Sequence, residues 1–374
     1  MSLFLSKDTP LVAVDIGSHS IKMAQLAKGK KQLELVHFGI MPLGEECLVD
    51  GLVKKNDDVI EAITNLLRAE KIATRHAVAS VAGEAVIIKR IQVPLQTRDE
   101  LKESINEEAE QYIPFDIDDV SIDFQILGRV ESGTPPPPVE EEKKDEEAAG
   151  EEGEGEKMEI LLVAVQRDLI DNRMMVLEGA GLKPVILDLD VFALVNAVNL
   201  TIDVRGLGPV ALIDLGDSFT HLNILSGGVS AFSRDIPVGG NQCTNRLMKK
   251  FQVPFRQIPE LKMGNLPAGV DSRDVIEVLT GAFDKVIEEI QKSLEFFRNT
   301  NKTEVGKIFL TGGGALIPGT DRLLAQKLSV PVEIVDPLKG IKVNPKMFDP
   351  EIMELLGPSS AQALGLATRR FDYQ

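Results

Sequence analysis

One short pattern occurs twice in this chain, and it limits the possible folds more than any other feature. Residues 210–240 read VALIDLGDSFTHLNILSGGVSAFSRDIPVGG. An apolar run ends on Asp214, a small polar stretch with Gly216, Asp217, Ser218 and Thr220 follows, and a second apolar run occupies 222–225. Two short apolar runs joined by a small-residue turn predict a β-hairpin. Residues 11–26, LVAVDIGSHSIKMAQL, carry the pattern again, with Asp15, Gly17, Ser18 and Ser20 in the corresponding places. A repeat of this kind is a fold-level signal. A carboxylate at the mouth of each hairpin suits a hydrated divalent cation. The glycine and hydroxyl behind it let amides and an O–H approach phosphate oxygens.

A third piece completes the set. Residues 307–324, KIFLTGGGALIPGTDRLL, predict a strand, a turn made by Gly312, Gly313 and Gly314, and a helix. Glycines allow the tight turn and keep a Cβ out of the way of a ligand lying against the backbone. Two Asp-Gly hairpins followed by a strand–Gly-Gly-Gly–helix unit resemble the actin-like ATPase superfamily. The resemblance implies an α/β, two-lobed actin-like ATPase (ribonuclease H-like) fold.

Composition agrees with two cores and narrows the partners. The 374 residues are 43% hydrophobic, enough for two lobes. Lys and Arg number 41 against 58 Asp and Glu, a net charge of −17 that opposes nucleic-acid binding. Two cysteines, Cys47 and Cys243, make no disulfide framework, so a reducing compartment is expected. His19, His37, His76 and His221 show no metal-ligand spacing. The start is too short in apolar length for a signal peptide, and no stretch of 18 apolar residues exists. The expectation is a cytoplasmic protein that meets a membrane only through a partner.

The pass along the chain gives a first lobe at 1–94, completed by return segments 182–205 and 357–374. An inserted α+β subdomain is expected at 95–181, and a second lobe at 206–356 with a helical subdomain at about 246–304. Thr97 and Glu100 form a capping box that opens the insertion. Asn56 and Asp168 are expected to cap helices, and residues 84–93 to form a strand. Residues 134–157 hold four prolines and then a run of glutamates, glycines and lysines, a composition that predicts a solvated, disordered loop.

An FtsA-type α+β subdomain inserted at this point is similar to the FtsA branch of the superfamily. The chain ends at residues 369–374 without the linker and amphipathic tail of FtsA. Residues 79–83 (ASVAG), 108–115 (EAEQYIPF) and 361–367 (AQALGLA) resemble the PilM family of type IV pilus assembly proteins. The resemblance implies a platform protein of the pilus machine that uses ATP and Mg2+ as cofactors between its lobes and serves twitching motility. By position, Asp15 and Asp214 orient magnesium through water. Ser18 and Ser20, with amides from Gly17 onward, hold phosphates, and Lys22 neutralises their charge. Gly216 and Thr220 cover the phosphates from the second lobe, Gly239 and Gly240 pass near the ribose, and Gly312, Gly313 and Gly314 near the adenosine. Asp190 takes the catalytic place of a water-orienting glutamate but is one methylene shorter, which implies weak or no hydrolysis. His221 is expected to be structural. The implied partner is the cytoplasmic N-terminal peptide of PilN, held in a groove between the first lobe and the insertion, with pilus motor ATPases and other platform proteins beyond it. The implied location is peripheral to the bacterial inner membrane. An FtsA-like polymerising ATPase and a small-molecule kinase of the same superfamily are the alternatives.

Overall fold

The computed structural model describes residues 10–130, 156–267 and 269–372. The acidic loop expected at 134–157 lies outside the described residues up to residue 155. The described chain divides into two compact units, one made of residues up to Gly83 together with those from Asn172 onward, the other of Glu84–Asp171.

The first unit contains both lobes. The first lobe opens with three antiparallel strands, β1 (Val12–Ile16), β2 (Ser20–Lys28) and β3 (Leu33–Pro42). A short hairpin, β4 (Leu48–Val49) with β5 (Leu52–Val53), leads to α1 (Asn56–Ala69) and to β6 (His76–Val81), which runs parallel to β1. All five residues of β1 are buried. A strand covered on both faces needs a continuous apolar run rather than an alternating one.

The second unit intervenes here. It comprises β7 (Val86–Pro94), α2 (Arg98–Glu110), β8 (Val120–Arg129), β9 (Lys157–Gln166) and the start of α3 (Arg167–Gly179). Its sheet has the order β7-β9-β8 and packs its own core of Ile91, Val93, Leu101, Ile105, Met158, Ile160 and Leu162. The capping box is present: Thr97 Oγ1 accepts from Glu100 N at 3.3 Å, and Thr97 N donates to Glu100 Oε2 at 2.8 Å. The unit begins eleven residues before the expected boundary of 95. The reason is β7, which pairs with β9 from Val86↔Val165 to Pro94↔Lys157 and so belongs to this sheet. The other cap expectations shift slightly. Asn56 is the first residue of α1, behind a Lys55 that makes no side-chain cap, and Asp168 lies in the first turn of α3. Asp168, an anion in the first turn, suits the helix dipole, as do Asp57 and Asp58 in α1.

The chain returns through β10 (Lys183–Leu189) and α4 (Asp190–Asn199). The first-lobe sheet thus has the order β10-β6-β1-β2-β3. The second lobe repeats it: β11 (Val210–Leu215), β12 (Thr220–Ser226) and β13 (Val229–Ile236) are antiparallel neighbours. After α5 (Asn241–Phe251), α6 (Ile258–Lys262) and α7 (Ser272–Asn301), β14 (Lys307–Thr311) joins parallel to β11. Then come α8 (Thr320–Leu328), β15 (Val332–Ile334) beside β14, α9 (Pro350–Leu356) and α10 (Ala361–Asp372). The order β13-β12-β11-β14-β15 matches that of the first lobe strand for strand, so the sequence repeat is a repeat of whole sheets. Along α7, Val275, Leu279, Phe283, Val286, Ile290 and Phe297 are buried at helical spacing, and Asp271 caps its first turn by accepting from Arg273 N.

An apolar seam joins the lobes. Leu194, Ala197 and Val198 of α4 pack with Val210, Leu212, Leu225, Phe309 and Ala361. One turn on, Ala363, Leu364, Leu366 and Ala367 of α10 pack against Ala13, Ala24, Leu26 and Val78 of the first lobe. At Gly365 the two helices nearly touch by their backbones, since a Cβ there would come within 1.9 Å of Ala193 O. Gly365→Ala is therefore expected to cost about 1–3 kcal/mol by overpacking. Gly206→Ala, where a Cβ meets nothing within 4 Å, should change stability by less than about 0.5 kcal/mol. Denaturant midpoints of the two variants check this.

Candidate functional site

In both lobes the polar residues collect at the carboxyl ends of the parallel strands, where open α/β sheets place their ligands. Asp15 stands near the end of β1, Ser80 near the end of β6, and Asp190 just after β10. Asp214 stands near the end of β11 and Thr311 closes β14. The sequence repeat puts each hairpin aspartate in the same register, and in each lobe a cationic side chain stands opposite it: Lys22 across from Asp15, His221 across from Asp214.

The two hairpins use these pairs differently. Lys22 Nζ lies 3.4 Å from Asp15 Oδ2. Lys22 therefore neutralises the carboxylate expected to orient a metal. Asp214 accepts from Thr311 Oγ1 at 2.8 Å and faces Gln362 Nε2 at 3.5 Å, so both its oxygens are oriented. His221 turns away from Asp214 toward two other acids. Its Nδ1 lies 2.6 Å from Asp235 Oδ1, and its Nε2 lies 3.5 Å from Asp190 Oδ2. Asp235 is its register partner on β13, and the other Asp235 oxygen accepts the Gly83 N–H at 2.6 Å. Gly83 and Asp190 are first-lobe residues, so His221 and Asp235 clasp the two lobes together. Asn223 adds a neutral tie, donating to Val191 O at 3.1 Å.

Burial sets the charge states. On Asp15 burial is the largest influence and raises its pKa, with Lys22 pulling it back and Asp190 pushing it further up. Asp190 is likewise raised by burial, against the pull of His221 and a hydrogen bond from Ser80. For His221 burial disfavours the cation, but Asp235, Asp190 and Asp214 outweigh it and lift its pKa to about 10. Burial works against the Asp235 carboxylate too, yet His221 and the Gly83 amide hold it below the usual range. His221 is thus an imidazolium at neutral pH, paired with the Asp235 carboxylate.

The loops supply the backbone. Gly17 N donates to Ser20 O at 3.1 Å and Gly216 N to Phe219 O at 3.0 Å, so these two amides close their own turns. Ser20 is buried at the start of β2. Thr220, expected at the phosphates, is wholly buried and spends its hydroxyl on Val238 O at 2.7 Å. Gly239 and Gly240 fold back onto the second hairpin turn: Gly240 N donates to Gly216 O at 2.8 Å, and a Cβ on Gly239 would strike Asp217 O at 2.5 Å. Lys262 Nζ donates to Gly240 O at 3.2 Å. The three glycines after β14 divide their tasks. Gly312 (φ +90°) and Gly314 would drive a Cβ into Leu215 at 2.5 and 2.4 Å, whereas a Cβ on Gly313 meets nothing within 4 Å. Only Gly313 borders open space.

A nucleotide fits these observations. There is an open glycine turn on the second lobe, buried carboxylates at both hairpins, and buried donors without acceptors. Arg173 is 4% exposed, and its Nε and Nη1 have no hydrogen-bond partner. Among the described residues no three His, Cys, Asp or Glu side chains are grouped as direct metal ligands. Asp15 and Asp214 stand on different hairpins, one in each lobe. Sequence reasoning missed Arg173, Asp235, Ser80, Thr311 and Gln362. The register of β12 with β13 offered a signal for Asp235; the other four had none.

The clasp makes a pH prediction. A histidine with its folded pKa raised stabilises fully below its ordinary value of about 6.5 and loses that contribution as pH rises through about 10. Wild-type stability should therefore fall between those limits, and His221→Gln should flatten the fall. The groups facing the ring are Asp235 on β13, Asp190 on α4 and Asp214 on β11. Urea midpoints from pH 6 to 10.5 measure it, and parallel curves for the two proteins would refute it.

Comparison with known proteins follows the same lines. Residues 13–371 match the family model described as type IV pilus assembly protein PilM. A solved PilM-PilN type IV pilus biogenesis complex superposes with a TM-score of 0.79 at 27% identity, covering 96% of this chain and 98% of that one. Ethanolamine utilization protein EutJ from Carboxydothermus hydrogenoformans aligns with a TM-score of 0.55 at 15% identity over 95% of this chain and 88% of its own, a likeness of fold alone. Cell division protein FtsA of Bacillus subtilis (strain 168) is 24% identical over 361 residues, 87% of this chain and 78% of that protein. Against FtsA of Borreliella burgdorferi the identity is 25% over 181 residues, and the match spans 42% of this chain and 44% of that relative. The fold is the two-lobed actin-like one.

Proposed function

The chain belongs to the type IV pilus assembly protein PilM family, and from that premise we propose that it is an ATP-holding platform of the pilus machine. The observation that carries the nucleotide half is the meeting, at the carboxyl ends of two duplicated sheets, of buried aspartates from both hairpins with an open glycine turn at Gly313.

In this reading Asp15 and Asp214 orient a magnesium ion through water, and the ion offsets the charge of the phosphates. Ser18, Ser20 and the backbone following Gly17 hold the phosphates on the first lobe, with Lys22 fixing Asp15. Gly216 closes over them from the second lobe, Gly239 and Gly240 pass near the ribose, and the base lies along Gly313. Asp190 is held by Ser80 and His221. A carboxylate so engaged is poorly placed to orient an attacking water, which supports retention of ATP with little turnover.

The partner half rests on the second unit. It has its own core and a capped helix, and its sheet leaves β7 and β8 as edges. Edge strands can take up an extended peptide by main-chain hydrogen bonds. We propose that it docks the N-terminal peptide of a PilN-type partner, and through that partner meets the inner membrane. Among the described residues no helix is long and apolar enough to cross a membrane.

Two experiments test the halves separately. By calorimetry, Asp15→Ala should weaken Mg-ATP about 10–100-fold through loss of the metal's outer sphere. Gly313→Val should weaken it with little loss of stability, while Gly312→Ala should destabilise the fold. Unchanged affinity in both Asp15→Ala and Gly313→Val would remove the site. For the partner, a PilN N-terminal peptide should bind more tightly with Mg-ATP present by about fivefold or more, and ATP should gain the same factor from the peptide. Equal peptide binding after the β7 and β8 edges are altered would remove the docking role, and indifference to ATP would remove the coupling.

A further inference from the structure

Arg173 has no place in the scheme above, and its surroundings say what it lacks. It lies on α3, one residue past Asn172, whose side chain is locked to β5: Val53 N donates to Asn172 Oδ1 at 2.8 Å and Asn172 Nδ2 donates to Val53 O at 3.0 Å. The backbone that carries Arg173 is therefore fixed. Its guanidinium has five N–H donors, yet its one hydrogen bond in the structure runs from Nη2 to Gly51 O at 3.3 Å. Nε and Nη1 are buried and unsatisfied. The carboxylates whose field it feels are Asp190 and Asp15, and neither bonds to it. Asp15 is already paired with Lys22, and Asp190 with His221.

A buried guanidinium with Nε and Nη1 unpaired is destabilising unless a ligand supplies acceptors. The planar fork of arginine matches phosphate oxygens two at a time, which a lysine cannot do. Position selects which phosphate. The open turn at Gly313, where a base fits, is on the second lobe, and Arg173 stands with Asp15 and Asp190 on the first. The end of a nucleotide farthest from its base is its last phosphate. We propose that Arg173 is the residue that reads the terminal phosphate of a bound nucleoside triphosphate, leaving its single bond to Gly51 to do so. The inference rests on the nucleotide reading and deepens it: the site then prefers a triphosphate to a diphosphate.

The test uses the full chain as wild type, Arg173→Met and Arg173→Lys. It records melting without nucleotide, and calorimetric affinity for Mg-ATP and Mg-ADP. Arg173→Met should melt no lower than wild type, because an uncompensated buried charge has been removed. Its Mg-ATP affinity should fall by at least about tenfold (~1.4 kcal/mol), and its Mg-ADP affinity by less than about threefold. Arg173→Lys should recover part of the ATP affinity. Equal losses for ATP and ADP, or unchanged ATP affinity, would overturn the proposal. So would a variant that unfolds or melts well below wild type, since Arg173 would then be structural. A wild type that binds neither nucleotide would sink the nucleotide reading and this inference together. A wild type that binds both, with Arg173→Met unaltered, would sink this inference alone.

Discussion

Burying carboxylates is the constraint to which the site is built. Asp15 and Asp214 are buried at the two hairpins, and Asp190 and Asp235 are largely withdrawn from water beside His221. A low dielectric makes each of them expensive unless a cation or donor answers it. The largest answer is one side chain, His221, whose imidazolium touches Asp235 and faces Asp190. Because one acid belongs to the second lobe and the other to the first, neutralising them also ties the lobes. The apolar seam of α4 and α10 also joins the lobes. Electrostatics and packing thus both join the lobes, and α4 takes part in each.

Duplication explains why the site has two halves, and divergence explains why the halves differ. The strand orders are the same, and each hairpin aspartate has a cation in register opposite. In the first lobe that cation, Lys22, stays with its aspartate. In the second, His221 leaves Asp214 to Thr311 and Gln362 and reaches across the cleft. A flat ring with two nitrogens can bridge two acids, which a single ammonium on a flexible stem does less readily. A hairpin residue expected to be merely structural therefore becomes the link between lobes, and it occupies Asp190.

The fold was legible where local chemistry and burial agree. The apolar runs ending on Asp15 and Asp214, the glycines after β14 and the Thr97–Glu100 box each encode their geometry in a few adjacent residues. Other features depend on distant partners. The strand at 84–93 is visible in sequence, but its membership of the second unit is decided by pairing with β9, more than sixty residues on. Gly365 reads as an ordinary helical glycine until Ala193 is placed against it. Thr220 reads as a phosphate hydroxyl until Val238 O is seen to accept its hydrogen bond. Arg173 is the clearest case: a charged residue on a helix reads as solvated, and only the fold shows it buried.

The central claim is that a nucleotide lies between the duplicated hairpins, with its base at the turn after β14. Backbone amide exchange with and without Mg-ATP tests it most directly, because it reports position without any substitution. The account predicts slower exchange together at residues 16–20, 215–220 and 312–316. Protection confined to one lobe, or found only in residues 84–130 and 156–171 of the second unit, would contradict it.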